Sequence, residues 1–361
     1  MENKTEESFN KESSPEKIKK LFKIACVDYK DVTAFDYLKH LAERTNEPIY
    51  LYAYYLQTDL ESLKQSGILE LIENKSIELS GGPETDGARL KINQQFTIEK
   101  LLDFWKQHSE VLKPIRELDF YGCKLVEVDI QILARSLYMQ NITGLDLGEN
   151  NIGMEGVQAL ANSENLGNLT ELDLEANGIG TEGARALANS ENLGNLTKLV
   201  LSWNGIGMEG VQALANSENL GNLTELDLEA NGIGTEGARV LANSENLRNL
   251  TKLVLGYYNY IKTEGAQALA NSENLRNLTE LDLEANGIGT EGARALANSE
   301  NLGNLTKLVL NWNDIGMEGV QALANSENLG NLTELNLKGN MIETKILEQL
   351  RQEHPNIQFI F

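Results

Sequence analysis

The sequence predicts an α/β solenoid: a horseshoe with parallel strands lining its concave side and helices on its convex side, preceded by a small, mainly helical region. Three observations predict it. First, the segment 168–194 recurs in near-copies that begin at Asn141, Asn195, Asn222, Asn249, Asn277 and Asn304. The step is 27 residues, except in the copy at Asn249, which has 28. With a degenerate copy at 114–140 and a last one opening at Asn331, the array has nine units. Second, each copy changes period internally, from two-residue alternation to helical spacing. Third, no unit of this size can bury its apolar face alone, so the units must stack on one another.

The strand comes first in each unit. In Glu171-Leu172-Asp173-Leu174-Glu175 the leucines fall on one face and the acids on the other. Asn177 follows as a buried turn residue, its amide able to satisfy backbone groups that the bend leaves unpaired. The helix is read from Thr181-Glu182-Gly183-Ala184-Arg185-Ala186-Leu187-Ala188. Thr181 is expected to cap it, and Ala184, Leu187 and Ala188 form the buried stripe. Gly183 and the alanines would let the helix sit close to the strands. Asn189-Ser190-Glu191-Asn192 is a polar return loop. A helix is about 10 Å wide and a strand takes about 4.8 Å, so stacking must curve the array. Nine strands give an arc of roughly 40 Å, wide enough for a folded protein. Tyr121, Leu133 and Tyr138 at one end, and the tail from Ile357 to Phe361, are the expected end closures.

The spacing Leu169-x-x-Leu172-x-Leu174-x-x-Asn177-x-Ile179 resembles the leucine-rich repeat family over residues 114–361. Units with a full helix are similar to its ribonuclease-inhibitor subtype, and so is the alternation of two unit types. The family pattern allows Cys in the Asn slot, and the first unit has Cys123 there, read as a buried structural thiol. The string Glu-Gly-Ala-Arg-Ala-Leu-Ala resembles repeats in effector proteins of host-associated bacteria, some with an F-box adaptor ahead of the repeats. That adaptor's Leu-Pro opening is absent from residues 15–60.

Units at 168, 222 and 277 carry Glu-Leu-Asp-Leu-Glu, whereas those at 195, 249 and 304 carry Lys-Leu-Val-Leu. The outward face therefore has three columns. The first alternates Glu171, Lys198, Glu225, Lys252, Glu280, Lys307 and Glu334, a ladder of opposite charges between neighbouring strands. The second alternates Asp173, Asp227 and Asp282 with valines; the third alternates Glu175, Glu229 and Glu284 with Ser202, Gly256 and Asn311. Two acids per unit without a matching lysine column repel one another unless a cationic partner or solvent takes up the charge. Trp203 and Trp312 lie at the strand ends, where Ala176, Ala230 and Ala285 stand in the other units. Two roles are open for them: partner anchors, or rings packed over the alanines. Tyr257, Tyr258 and Tyr260 carry the array's single inserted residue and are expected to bulge. The candidate partner-binding set is thus Asp173, Glu175, Trp203, Asp227, Glu229, Tyr257, Tyr258, Tyr260, Asp282, Glu284 and Trp312.

Ahead of the array, residues 1–14 read as a disordered tail and 15–113 as the helical region. Helices are expected at 17–29, 34–44, 59–65 and 97–108, a Tyr-rich stretch at 49–56 and a strand at 77–79. The last helix, with Leu101, Phe104 and Trp105, could cover the open end of the solenoid.

Composition narrows the function. Net charge is −23, and residues 114–361 hold 34 acidic against 15 basic residues. Such a surface repels phosphate backbones, so a basic protein partner is expected and nucleic acid is not. Two cysteines make no disulfide framework, and the polar N-terminus has no apolar core of a Sec signal. No run of about 18 apolar residues exists to span a membrane. Eight Asn-Leu/Ile-Thr sequons precede the strands, and sugars there would crowd the face. A cytoplasmic monomer is expected, or delivery into a host cell without a Sec signal. His40, His108 and His354 lie apart, without metal-ligand spacing or a nearby nucleophile, and the glycine pairs never meet a phosphate-loop lysine. No enzyme, cofactor or metal site is expected; calcium would need converging oxygens, and these lie in a row. The expected function is a protein-binding scaffold. The alternative is that the N-terminal region acts as adaptor or effector and the repeats present it.

Overall fold

The computed structural model describes residues 68–73, 76–82, 87–93, 97–340, 342 and 344–361. The expected tail, the helices at 17–29, 34–44 and 59–65, the stretch 49–56, Cys26 and His40 lie outside the described residues. The chain divides into two compact units, residues 1–120 and 121–361, within the first expected repeat.

In the first unit, α1 (Ile68–Glu73) precedes a hairpin of β1 (Ile77–Gly82) and β2 (Gly87–Ile92), paired antiparallel from Ile77↔Ile92 to Gly82↔Gly87. Helix α2 (Ile98–Gln107) is capped by Thr97, whose Oγ1 accepts from Lys100 N–H, and it buries Ile98, Leu101 and Trp105. A short α3 (Ser109–Leu112) leads to β3 (Ile115–Asp119), which runs parallel to β2. Strand β2 is an addition to the expected elements. Its Ala88, Leu90 and Ile92 are buried and alternate with more exposed residues, the pattern of a half-buried strand.

The second unit is an open solenoid. Its helices are α4 (Glu127–Ala134), α5 (Gly153–Ala161), α6 (Gly180–Ala188), α7 (Gly207–Ala215), α8 (Gly234–Ala242), α9 (Lys262–Ala270), α10 (Gly289–Ala297), α11 (Met317–Ala324) and α12 (Thr344–Glu353). They alternate with three-residue strands β4 (Gly144–Asp146), β5 (Glu171–Asp173), β6 (Lys198–Val200), β7 (Glu225–Asp227), β8 (Lys252–Val254), β9 (Glu280–Asp282), β10 (Lys307–Val309), β11 (Glu334–Asn336) and β12 (Gln358–Ile360). Every neighbouring pair from β4 to β12 is parallel and in register, so Leu172, Leu199, Leu226, Leu253, Leu281 and Leu308 form one buried row. Leu174 and its equivalents form a second row, closed from the other side by Ala184, Leu187 and Ala188 of each helix.

Three side-chain ladders tie unit to unit. Asn204 Nδ2 donates to Leu174 O at 2.8 Å and Leu201 O at 3.0 Å, while its Oδ1 accepts from Asn177 N–H at 3.0 Å. Its equivalents, from Asn177 to Asn340, repeat the scheme in the buried turn. Ser190 Oγ donates to Ala161 O of the preceding unit at 2.6 Å, as do its equivalents. The sequons form the third ladder: Asn195 Nδ2 donates to Gly167 O, and Thr197 Oγ1 to Thr170 O. From Asn168 to Asn331 the tripeptide thus has a structural job, because both its polar side chains bond back to the previous unit.

Thr181 does not cap its helix. Gly180 is already helical, Ile179 holds the cap position without a side-chain bond, and Thr181 Oγ1 donates instead to Ile206 O of the next unit at 2.8 Å. A Cβ on Gly183 would lie 2.8 Å from Ile179 Cβ, so this glycine makes room for the buried isoleucine at the start of its own helix and not for a strand. Cys123 is buried.

Candidate functional site: the acidic and aromatic strand face

The outward residues of β5–β10 make the face. In the first column the register sets each lysine between two glutamates, and ion-pair distance is reached at Lys252–Glu280, 3.9 Å, and Lys307–Glu334, 3.1 Å. These pairs are solvent-exposed and contribute little to stability.

The aspartates have a local role that the alternating pattern did not disclose. Oδ1 of Asp173, Asp227 and Asp282 accepts from the backbone N–H two residues on, at 2.9 Å each, and so fixes the turn at the strand end. Burial, opposed by that hydrogen bond and reinforced by the charges of Glu229, Asp173 and Glu175, pushes the Asp227 carboxyl up to about 6. Asp282 is raised to about 6 by burial, likewise opposed by its bond from Glu284 N–H and reinforced by Glu284, Glu229 and Asp227. Burial also raises Glu175, with the charges of Glu149, Glu229 and Asp146 adding to it. Glu229 is raised by burial, an effect that the Trp203 indole hydrogen bond reduces and the Glu284 charge increases. The acids of this face therefore act on one another and share one unfavourable field.

Past each strand the backbone turns left-handed, at Ala176, Trp203, Ala230, Tyr257, Ala285 and Trp312, with φ from 38° to 58°. That conformation costs a side-chain-bearing residue roughly 1 kcal/mol, and the sequence gives little sign of it because alanine and tryptophan stand where glycine or asparagine would announce the turn. Both tryptophans make a contact with the next unit and remain exposed. Trp312 packs against Gly339, its ring atoms 2.5–2.7 Å from where a Cβ would be, yet it is 57% exposed. Trp203 leans across its neighbouring unit, Nε1 donating to Glu229 Oε1 at 3.3 Å, and is 49% exposed.

Tyr258 is the inserted residue. Tyr257 N–H donates to Glu284 O, the bond made by Ala230 or Trp203 in their units, and Asn259 resumes the buried ladder one residue late. The insertion pushes the Tyr258 ring out, edge-on to Trp203 with centroids 5.7 Å apart. A hydrogen bond to Glu284, with burial and neighbouring acids, pushes the Tyr257 hydroxyl up to about 12. Tyr260 is exposed. Trp203, Glu229, Tyr257, Tyr258, Asp282 and Glu284 thus come together, Asp173, Glu175 and Asp227 continue the acidic face, and Trp312 sits apart on its glycine.

Tyr121, expected as an end closure, stands in the third column, and the sequence reading passed over Asp146 in the second column and Glu149 at the left-handed position that follows that strand. Glu149 accepts from the Tyr121 hydroxyl, which is pushed up to about 12. Asp146 shares the Asp173 column, which was the available signal, whereas Glu149 stands where the following units carry alanine or an aromatic residue. Among the described residues no group of three or more acidic, His or Cys side chains could hold a metal ion, and no helix is long and apolar enough to cross a membrane.

Rows of buried leucines, a buried asparagine at each turn and a strand–helix alternation in every unit define leucine-rich repeats. Family comparison agrees: Leucine Rich repeat profiles match residues 138–161, 168–188, 195–215, 222–242, 274–297 and 304–324, and a Leucine Rich Repeat profile matches 331–352. Among solved structures, an internalin from Listeria monocytogenes is similar at 21% identity and a TM-score of 0.38, over 74% of this chain and 87% of the internalin chain. No curated protein matches.

Proposed function

We propose that the strand face binds a basic protein partner without catalysing a reaction on it. The carrying observation is the half-buried acidic field in which Asp227 and Asp282 are raised to about 6. Lysine and arginine side chains brought by a partner would relieve that repulsion, and the exposed rings of Trp203, Tyr258, Tyr260 and Trp312 supply anchors beside it. The resemblance to bacterial effector repeats supports a host protein as the partner.

Capture from host-cell lysate on the immobilised full chain tests the reading. Alanine already occupies the left-handed position in sibling units, so Trp203→Ala with Trp312→Ala should keep the fold. Retained proteins should be basic, should elute by about 0.5 M salt, and should be depleted on the double variant. Retention indifferent to salt and to both tryptophans would overturn the proposal.

A further inference from the structure

Every Asn-Gly pair in the chain is a rung of the buried ladder: Asn177-Gly178, Asn204-Gly205, Asn231-Gly232 and Asn286-Gly287. Such a pair can react with itself, because glycine has no side chain to shield its backbone nitrogen from the asparagine Cγ. Here only one partner of that reaction is restrained. The four glycines lie on the exposed outer turn with φ from 63° to 66°, and a would-be Cβ on each meets nothing within 4 Å. Their backbone N–H groups make no hydrogen bond among the described residues. The four asparagines, by contrast, are at most 4% exposed. Asn204 Nδ2 donates to Leu174 O, Leu201 O and Ser202 O at 2.8–3.1 Å, and its Oδ1 accepts from Asn177 N–H and Ile179 N–H. Both ends of the amide are held.

We propose that these four asparagines are modification sites, at which deamidation makes the opening of a repeat permanent. In the closed unit the nitrogen that must leave, Nδ2, is tied to carbonyl oxygens of its own and the preceding unit. When the unit opens, those bonds are gone. The glycine nitrogen bonds to the asparagine Cγ, and Nδ2 leaves as ammonia, taking the proton that the glycine nitrogen gives up. Water then opens the five-membered imide at either carbonyl, leaving aspartate or isoaspartate. Neither product fits the closed ladder. Aspartate sets a carboxylate oxygen against the carbonyl oxygens that Nδ2 had bonded, a buried charge with no counter-ion. Isoaspartate adds a backbone methylene to a 27-residue repeat whose strands pair in register. The other rungs lack the glycine: Asn150, Asn259, Asn313 and Asn340 are followed by Asn151, Tyr260, Asp314 and Met341, whose side chains slow the same attack.

The test is peptide mass mapping of the full chain after matched incubations at mildly alkaline pH, one in native buffer and one in guanidinium chloride that unfolds it. In denaturant, Asn177, Asn204, Asn231 and Asn286 should each gain one mass unit and yield isoaspartate, well ahead of Asn150, Asn259, Asn313 and Asn340. In native buffer the four should react slower by about a hundredfold or more, because only the small open fraction reacts. Brief exposure to denaturant should be followed by full recovery of the native circular dichroism on dilution. Longer exposure should lower that recovery, with the refolded fraction enriched in chains unmodified at these rungs. Equal rates in the two incubations, no gain of mass in denaturant, or return of the wild-type spectrum and urea midpoint in chains modified at these rungs would overturn the proposal.

Discussion

The units that begin at Asn195 and Asn249 share Lys-Leu-Val-Leu and then diverge, one to Ser-Trp-Asn-Gly-Ile-Gly, the other to Gly-Tyr-Tyr-Asn-Tyr-Ile-Lys. Inside, they are the same: Asn204 and Asn259 fill equivalent rungs, and Ile206 and Ile261 are fully buried. Outside, the second unit places Tyr260 and Lys262 at left-handed positions where its sibling has Gly205 and Gly207, and adds Tyr258 to them. Stacking identical neighbours constrains the interior of every unit but only weakly constrains the outer turn. Strain kept there, where a sibling unit has glycine, is strain that the buried ladder does not require.

Three predictions can break or sharpen this comparison. The largest effect belongs to the shared interior. Asn204→Ala and Asn259→Ala should each destabilise by about 3 kcal/mol or more, since each strands several buried backbone groups. Urea unfolding checks this, and a trivial loss for Asn259→Ala would show that the bulged unit has left the ladder. Next is the acidic face. A carboxyl raised in the folded state favours folding at low pH, and the advantage is lost as pH rises from about 4 through about 6. Thermal stability should therefore increase from pH 7.5 to pH 5.5. Asp227→Asn with Asp282→Asn keeps the turn acceptors and should stabilise at pH 7.5 by about 1–2 kcal/mol in total, flattening that dependence; an unchanged pH profile would deny the shared field. Smallest is the outer strain. Tyr260→Gly or Lys262→Gly should stabilise by about 0.5–1 kcal/mol, seen as a higher urea midpoint, whereas a lower midpoint would mean that these side chains support the fold.

Most of the fold was legible because period is a strong signal: Leu172, Leu174 and Asn177 recur where stacking needs them, and each lies where its spacing placed it. Thr181 misled because its neighbourhood imitates a cap, while the real donor–acceptor pair spans two units that are 25 residues apart in sequence. The columns of the candidate site were also legible, being a period-two pattern read across strands. Depth was not. Which acids are half-buried and which ring covers which glycine depend on side-chain directions at left-handed turns that no residue type announces.

Charge placement separates a binding face from an acidic surface in general. Asp227→Lys with Glu229→Lys alters the strand face, and Glu209→Lys with Glu264→Lys alters exposed positions on α7 and α9 by the same net charge. Measured by titration with hexa-arginine at matched ionic strength, the first pair should weaken binding by about a hundredfold and the second by no more than about twofold. Equal losses from the two pairs would contradict the assignment of binding to the strand face.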